Sequence, residues 1–241
     1  TDTLRAYYDA LPPHDGVDRL GAIDTRYLCT PEAGLFSREV CRRWLIALAA
    51  RAYDPGAKVD NMLILQGTMQ EERKSTFFEC MPGYLNFRLG ANEYEDARNL
   101  RGKHVVEFAE LASLHKSTRE DVKDFVTKRV DRERQMHAND PIENLRRCAL
   151  CGTTNDDTFL SDPTGNRRFW PITVGAEIDF RAWREDLPKV LAQARDVYLA
   201  GAKHCAEHRC VEHRWWIDKE ETLLHEAARS ATKQFVDDDQ V

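Results

Sequence analysis

The stretch VDNMLILQGTMQEERKST, residues 59–76, decides the fold. Its apolar run Met62-Leu63-Ile64-Leu65 reads as a buried strand. Gly67 breaks the strand, a short polar loop follows, and Lys74-Ser75-Thr76 opens a second apolar segment at Phe77-Phe78. Strand, loop, lysine with hydroxyl, and helix together make a phosphate-binding loop. Such a loop wraps backbone N–H groups round phosphate oxygens, brings a lysine to the β- and γ-phosphates and offers a hydroxyl to Mg2+. The spacing departs from G-x-x-x-x-G-K-[ST]. Thr68 and Arg73 hold the two glycine places, Gly67 stands seven residues before Lys74, and Glu71 and Glu72 lie where an anion would dock. A side chain at a glycine place hinders close approach of backbone to phosphate, although Arg73 also brings positive charge. On this stretch alone an ordinary strand-to-helix turn stays open.

Working downstream, residues 103–111 (KHVVEFAEL) read as a short apolar strand ending in acids. A buried strand that delivers a carboxylate beside a phosphate loop is what Mg2+ and an attacking water require. Glu107 is then expected on the metal's water shell, and Glu110 on the water. A strand ending in solvated acids is the plain alternative. Residues 148–155 (CALCGTTN) read as a further buried strand whose end carries hydroxyls and the Asn155 amide, groups suited to orienting a water near a γ-phosphate. After the turn Asp162-Pro163-Thr164-Gly165 come Arg167 and Arg168. The last strand, FWPITV at 169–174, is expected at an edge, because Pro171 cannot donate to a ladder.

Between the acidic and amide-bearing strands, Ser117-Thr118-Arg119-Glu120 has the form of a capping box. It heads a helix with Val122, Phe125, Val126 and Val130 on one face. Residues 131–147 are polar and read as a basic stretch on account of Arg132, Arg134, Arg146 and Arg147.

The flanks read as helical. Ser37 is placed to cap a helix with Val40, Trp44, Leu45 and Leu48 on one apolar face, ending at Tyr53-Asp54-Pro55-Gly56. Its arginines (Arg38, Arg42, Arg43, Arg51) read as a solvated face or, more sharply, as a nucleotide or DNA contact. Near the other end, Leu187, Leu191, Ala194 and Val197/Tyr198 recur at helical spacing, and the acidic tail FVDDDQV is expected to fray. The division is therefore an N-terminal helical region (1–58), an α/β P-loop core (59–175) and a C-terminal helical region (176–241).

A chain of 241 residues, 42% hydrophobic and 32% charged, describes a soluble globular protein. No apolar run approaches the roughly 20 residues of a membrane span, and the first residues lack a signal-peptide pattern. The net charge of −6 argues against nucleic-acid binding by bulk charge and confines any such surface to a local basic patch. Seven cysteines, an odd number in a chain this large, imply reduced thiols and a cytoplasmic setting. Cys148 and Cys151 read as buried thiols within a strand. His204, Cys205, His208, Cys210 and His213 lie close enough for a zinc reading, though one helix face holds only some of them. Trp215-Trp216 reads as packing, with base stacking as the alternative.

These strings together resemble the virulence-associated protein E family, phage and genomic-island proteins with a P-loop NTPase core akin to superfamily-three helicases. HDGVDRLGAI and RRWLIALAARAYDPGAKVDNMLILQG resemble the family's lead-in, LRGKHVVEFAEL its Walker B segment, and GTTNDDTFLSDPTGNRRFWPI its sensor and arginine segment. The resemblance implies ATP and Mg2+ as ligands, a homo-oligomeric ring, and a role in replicating mobile-element DNA, single-stranded or forked. It carries Gln70, Lys74, Ser75 and Thr76 over to the phosphate loop; the reading of the loop itself adds Gly67 and Arg73 toward the nucleotide and gives Ser75 and Glu107 to magnesium. Glu107 and Glu110 are then the acidic pair, Asn155 the sensor, and Arg167 and Arg168 the arginine pair that supplies a finger. Superfamily-three-like cores place a DNA-contacting hairpin where Lys128, Arg132 and Arg134 stand, although Gln135-Met136-His137 replaces the family's usual Pro-Pro-Tyr-like run. Family members often carry a primase-like region upstream. Its absence here gives the expectation of a fragment or a stand-alone helicase-like unit, with a primase domain or replication protein as partner. The altered loop keeps a second function open: a replication or interaction module that retains the fold and a DNA surface but binds nucleotide poorly.

Overall fold

The computed structural model describes residues 2–31, 33–67, 73–90, 92–109, 111, 116–134, 140–155, 168–175, 177–204 and 213–233, with the side chains of 116–120, 203–204, 228–229 and 231–233 set aside. Five parallel strands form the central sheet: β1 (Met62–Gln66), β2 (Tyr84–Asn86), β3 (Val105–Phe108), β6 (Ala149–Thr154) and β7 (Phe169–Thr173), in the order β2-β3-β6-β1-β7. A separate antiparallel hairpin joins β4 (Val130–Glu133) to β5 (Ile142–Leu145). The helices are α1 (Thr3–Asp9), α2 (Leu35–Tyr53), α3 (Lys74–Glu79), α4 (Glu93–Leu100), α5 (Lys116–Thr127), α6 (Phe180–His204) and α7 (Thr222–Lys233). A 3-10 turn (Leu20–Ala22) and a π-helical turn (Ile23–Tyr27) precede α2.

Both faces of the sheet are covered, which is why its strands read as unbroken apolar runs. Alternation divides them between two cores. Leu63, Leu65, Val105, Cys151 and Ile172 point into one core with α2, Phe77 and Phe78 of α3, and α6. Met62, Ile64, Val106, Phe108 and Leu150 point into the other, with Phe125 of α5 and Leu100 of α4. β7 is an edge strand paired only with β1, so the N–H that Pro171 lacks is tolerated. Among the described residues no helix is long and apolar enough to cross a membrane.

α2 departs from the sequence reading. It begins at Leu35 after Gly34, and Ser37 sits inside the first turn, where its Oγ accepts the Gly34 N–H at 2.9 Å and donates to the buried Asp24 carboxylate. Nor is the helix apolar on one face only, since residues 43–52 are all buried. A helix buried all round belongs to the core of the molecule. Arg43 and Arg51 are thereby neither solvated nor available to a ligand. Arg43 pairs with Glu221 at 2.6 Å and Glu39 at 3.2 Å, and it donates to the Trp216 carbonyl. Arg51 donates to the Arg146 carbonyl at 2.9 Å. α5 starts at Lys116, so Ser117 lies within its first turn and not before it.

Two tryptophans fix the layers by hydrogen bonds that also satisfy their indoles. Trp44 Nε1 of α2 donates to the Leu150 carbonyl of β6 at 2.7 Å. Trp183 Nε1 of α6 donates to the Phe77 carbonyl at 2.9 Å while its ring stacks on Phe77 with centroids 4.2 Å apart. α3 is therefore clamped from outside the sheet. Trp215 is buried and bonds the Lys58 carbonyl at 2.8 Å, in keeping with the packing reading. Cys41, Cys148 and Cys151 are buried free thiols, and burial pushes each one's ionisation up, which leaves them inert. Of the proposed zinc ligands only the His213 side chain lies within the described residues.

At the start of β3, His104 is fully buried. Its Nε2 meets the Tyr8 hydroxyl at 2.9 Å and its Nδ1 meets the Arg147 carbonyl at 2.9 Å. Burial, and then the nearby Arg147 charge, pull its pKa down to about 4, so the ring is neutral at pH 7 and ties α1 to the sheet.

Candidate nucleotide site

The C-terminal ends of β1, β3 and β6 gather the residues singled out in the sequence. Because β6 lies between β1 and β3, the strand carrying Asn155 at its end sits between the phosphate-loop strand and the acidic strand. Register sets the depths: Gln66 pairs with Thr154, and Glu107 with Cys151. Glu107 shares the face of Val105, the face against which α3 packs.

Lys74, the first residue of α3, is 7% exposed. Its Nζ donates to Asn155 Oδ1 at 2.7 Å and to the Gly67 carbonyl at 3.1 Å, so the lysine, the Asn155 amide and the loop entrance meet at one point. Ser75 Oγ donates to Glu107 Oε1 at 2.7 Å. Arg73, at the second glycine place, has φ 46° and ψ 40°, the left-handed conformation that glycine supplies without strain. The backbone of the motif is thus kept although its residue is not. Thr76 lies in α3, where its N–H bonds the Arg73 carbonyl.

Glu107 is fully buried, and it is also held by Thr153, one of the hydroxyls at the end of the 148–155 strand, and by Tyr84, which sequence reasoning missed. Thr153 Oγ1 donates to Oε1 at 2.8 Å, and the Tyr84 hydroxyl of β2 donates to Oε2 at 2.5 Å. Burial, and then the bond to Glu107 and its charge, push the Tyr84 hydroxyl well above its ordinary range, so it stays a donor. Thr153 lay in the quoted strand end, but no sequence signal marked Tyr84.

The donor set fits a magnesium nucleotide. Ser75 spends its proton on Glu107, which turns its oxygen lone pairs away from the carboxylate and leaves them for a cation. Lys74 places an ammonium beside Gly67 at the loop entrance. These are the oxygen ligands and the charge that Mg2+ and phosphate take.

Other expected residues fall elsewhere. Gln70, Glu110 and Arg167 lie outside the described residues. Arg168 immediately precedes β7, and β7 runs parallel to β1 with Phe169 beside Met62 and Thr173 beside Gln66. Arg168, one residue before Phe169, therefore stands at the far end of the sheet from Gly67, one residue after Gln66, about 20 Å away over six residue steps.

The basic stretch folds as the β4–β5 hairpin, and its cations are mostly engaged. Arg146 is buried against Asp131, with its guanidinium 4.3 Å from the Phe125 ring centroid. Arg129 donates to the Gly56 carbonyl at 2.6 Å. Lys128 pairs with Glu93 at 2.8 Å and Arg132 with Glu143 at 3.1 Å, both near the surface, and Arg134 is exposed. Arg146 thus builds the hairpin's base, Lys128 is half-buried, and the exposed cations are Arg129, tied to Gly56, with Arg132 and Arg134.

A five-stranded parallel sheet flanked by helices, with a lysine-serine pair facing a strand-borne glutamate, defines a P-loop NTPase-like α/β fold. The chain belongs to the family described as the virulence-associated protein E-like domain, which matches residues 9–234. Among solved structures it is similar to the apo structure of the NrS-1 C-terminal region (305–718), at a TM-score of 0.53 and 14% identity over 92% of this chain and 54% of that one. The A form of the same apo region matches at a TM-score of 0.54 and 13% identity, over 92% and 53%. The chain spans about half the length of these solved chains. No curated protein matches.

Proposed function

We propose that this chain is a helicase-like ATPase that hydrolyses ATP with Mg2+ at a subunit interface and serves the replication of phage or mobile-element DNA. The observation that carries the reading is the meeting of Lys74, Ser75, Glu107 and Asn155, from α3, β3 and the end of β6, at the C-terminal end of the sheet. Family membership supports the replication role.

In this reading Lys74 leaves Asn155 for the phosphates, and the freed amide orients the attacking water. Ser75 and Glu107 would hold magnesium and its water shell, and magnesium, when bound, would supply positive charge to offset that of the phosphates. Glu110 takes the water's proton. Arg168, too far along the sheet to reach its own site, stabilises the transferring phosphoryl of a neighbour, with Arg167 beside it. Lys128, Arg132 and Arg134 meet single-stranded or forked DNA through the hairpin. Residues 59–175 act as the nucleotide unit, braced by 1–58 and 176–241. A primase domain or replication protein is the natural partner.

One observation favours a second reading, a replication module that binds nucleotide poorly: Arg73 projects a side chain from the left-handed position next to Lys74. Measuring ATP hydrolysis with and without single-stranded DNA separates the two. The motor reading expects turnover stimulated by DNA. DNA binding with no turnover, at magnesium and ATP concentrations that saturate related ATPases, leaves the second reading standing.

A further inference from the structure

The carboxylate of Glu107 receives three hydroxyl protons from three different elements. Ser75 of α3 and Thr153 of β6 donate to Oε1, at 2.7 and 2.8 Å, and Tyr84 of β2 donates to Oε2 at 2.5 Å. A carboxylate offers about four lone-pair positions. Among the described residues two positions are taken on one oxygen and one on the other, which leaves a single acceptor position, on Oε2.

The three donors are not equivalent. Ser75 follows Lys74 and is the hydroxyl placed to ligate a cation. Thr153 and Tyr84 belong to the sheet, and their backbones are fixed by strand pairing. Thr153 pairs with Leu65, and Tyr84 pairs with Val105, two residues before Glu107 on the same face. β2 is itself anchored just before Tyr84. Gly83 takes φ +63°, where a Cβ would come 3.0 Å from the His104 nitrogen, and its carbonyl accepts the His104 N–H at 2.9 Å. The tyrosine is thus delivered to Glu107 from a rigid edge strand.

We propose that Tyr84 and Thr153 are positioning residues that lock the Glu107 carboxylate so that its one free lone pair faces a magnesium-bound water. The inference rests on the nucleotide reading above. It assigns the edge strand β2 a part in metal affinity. It also gives Glu107 a single orientation that is set before ligand arrives, so metal binding does not have to order that side chain. Partners of this kind typically set metal affinity by 10- to 100-fold.

Tyr84→Phe tests it, since the ring stays and only the hydroxyl goes. The readout is equilibrium binding of a fluorescent ATP analogue, in EDTA and across a magnesium titration, with Mn2+ resonance spectra as a direct probe of the metal. Tyr84→Phe is expected to lower apparent magnesium affinity by about 10- to 100-fold while binding in EDTA stays within about twofold of wild type. Thr153→Val should do the same and Thr153→Ser should not, which keeps the test open if Tyr84→Phe folds poorly. Unchanged magnesium affinity in Tyr84→Phe and Thr153→Val, with wild type binding normally, overturns the inference and leaves the nucleotide reading intact. An equal loss in EDTA and in magnesium also overturns it, because the two residues would then be supporting the fold alone. A wild-type protein that binds no nucleotide under either condition overturns the nucleotide reading, and this inference with it.

Discussion

Lys74 Nζ and Asn155 Oδ1 lie 2.7 Å apart, so the lysine that opens α3 and the amide that closes β6 hold each other. A nucleotide would have to separate them, which gives the two residues different signatures. Lys74→Ala should weaken ATP binding by about 10- to 100-fold, the worth of a hydrogen bond to a charged group. Asn155→Ala should leave binding near wild type and slow hydrolysis by about 10²-fold, as loss of one oriented donor does. Filter binding and single-turnover hydrolysis check the pair, and similar affinities in both variants would remove Lys74 from the phosphate.

Arg73→Gly should tighten nucleotide binding. A non-glycine residue in the left-handed region carries about 1–2 kcal/mol of strain, and its side chain stands at the phosphate approach. Relief of both is expected to improve affinity severalfold. Weaker binding in the glycine variant would make the Arg73 guanidinium a phosphate ligand.

Arg168→Ala should fold and bind ATP normally but hydrolyse it on the order of 10³-fold more slowly. Mixing it with Lys74→Ala protein should restore part of the activity, since each variant supplies the half the other lacks. Co-assembled mixtures that stay inactive at every ratio would return Arg168 to a role within its own subunit.

The hairpin separates surface from scaffold. Replacing Arg132 and Arg134 with serine should weaken single-stranded DNA binding and reduce its salt slope by roughly 0.7 for each phosphate that is no longer neutralised. Arg146→Ala should instead destabilise the protein by about 3–5 kcal/mol, because it strands Asp131 in a buried site. Fluorescence anisotropy across a salt series and urea melts distinguish the two effects.

Acid should loosen the tie between α1 and the sheet. His104 takes a proton at a pH of about 4 when folded, against 6.5 for an ordinary histidine. The unfolded chain therefore binds a proton first. Stability from this group is complete above pH 6.5, declines as the pH falls, and is gone below about 4, a total of about 3 kcal/mol. His104→Gln should lack this component between pH 6.5 and 5, as urea midpoints at stepped pH would show.

What the sequence made legible follows from where the physical signals lie. β1, β3, β6 and β7 are buried on both faces and show as apolar runs, and Pro171 marked the edge correctly. β2, three residues long and half-buried, and the hairpin strands, polar on their exposed face, carry no such signal. Lys74, Ser75, Glu107 and Asn155 could be picked out because strand ends and a loop motif announce them. Tyr84 could not, since only the pairing of Asn86 with Glu107 brings it to the carboxylate. The arginines of α2 misled for a similar reason: Glu221 and the Arg146 carbonyl, which bury Arg43 and Arg51, lie far along the chain.

The placement of Arg168 and Gly67 at opposite ends of the β7–β1 pair has a geometric consequence for assembly. If each protomer offers its arginine from one end and its lysine from the other in a head-to-tail contact, repeating that contact either closes into a ring or runs on as an open stack. Every open stack then ends in one site without a donor and one arginine without a site. Only closure by rotation removes both loose ends, so full turnover per subunit would itself report that the ring had closed.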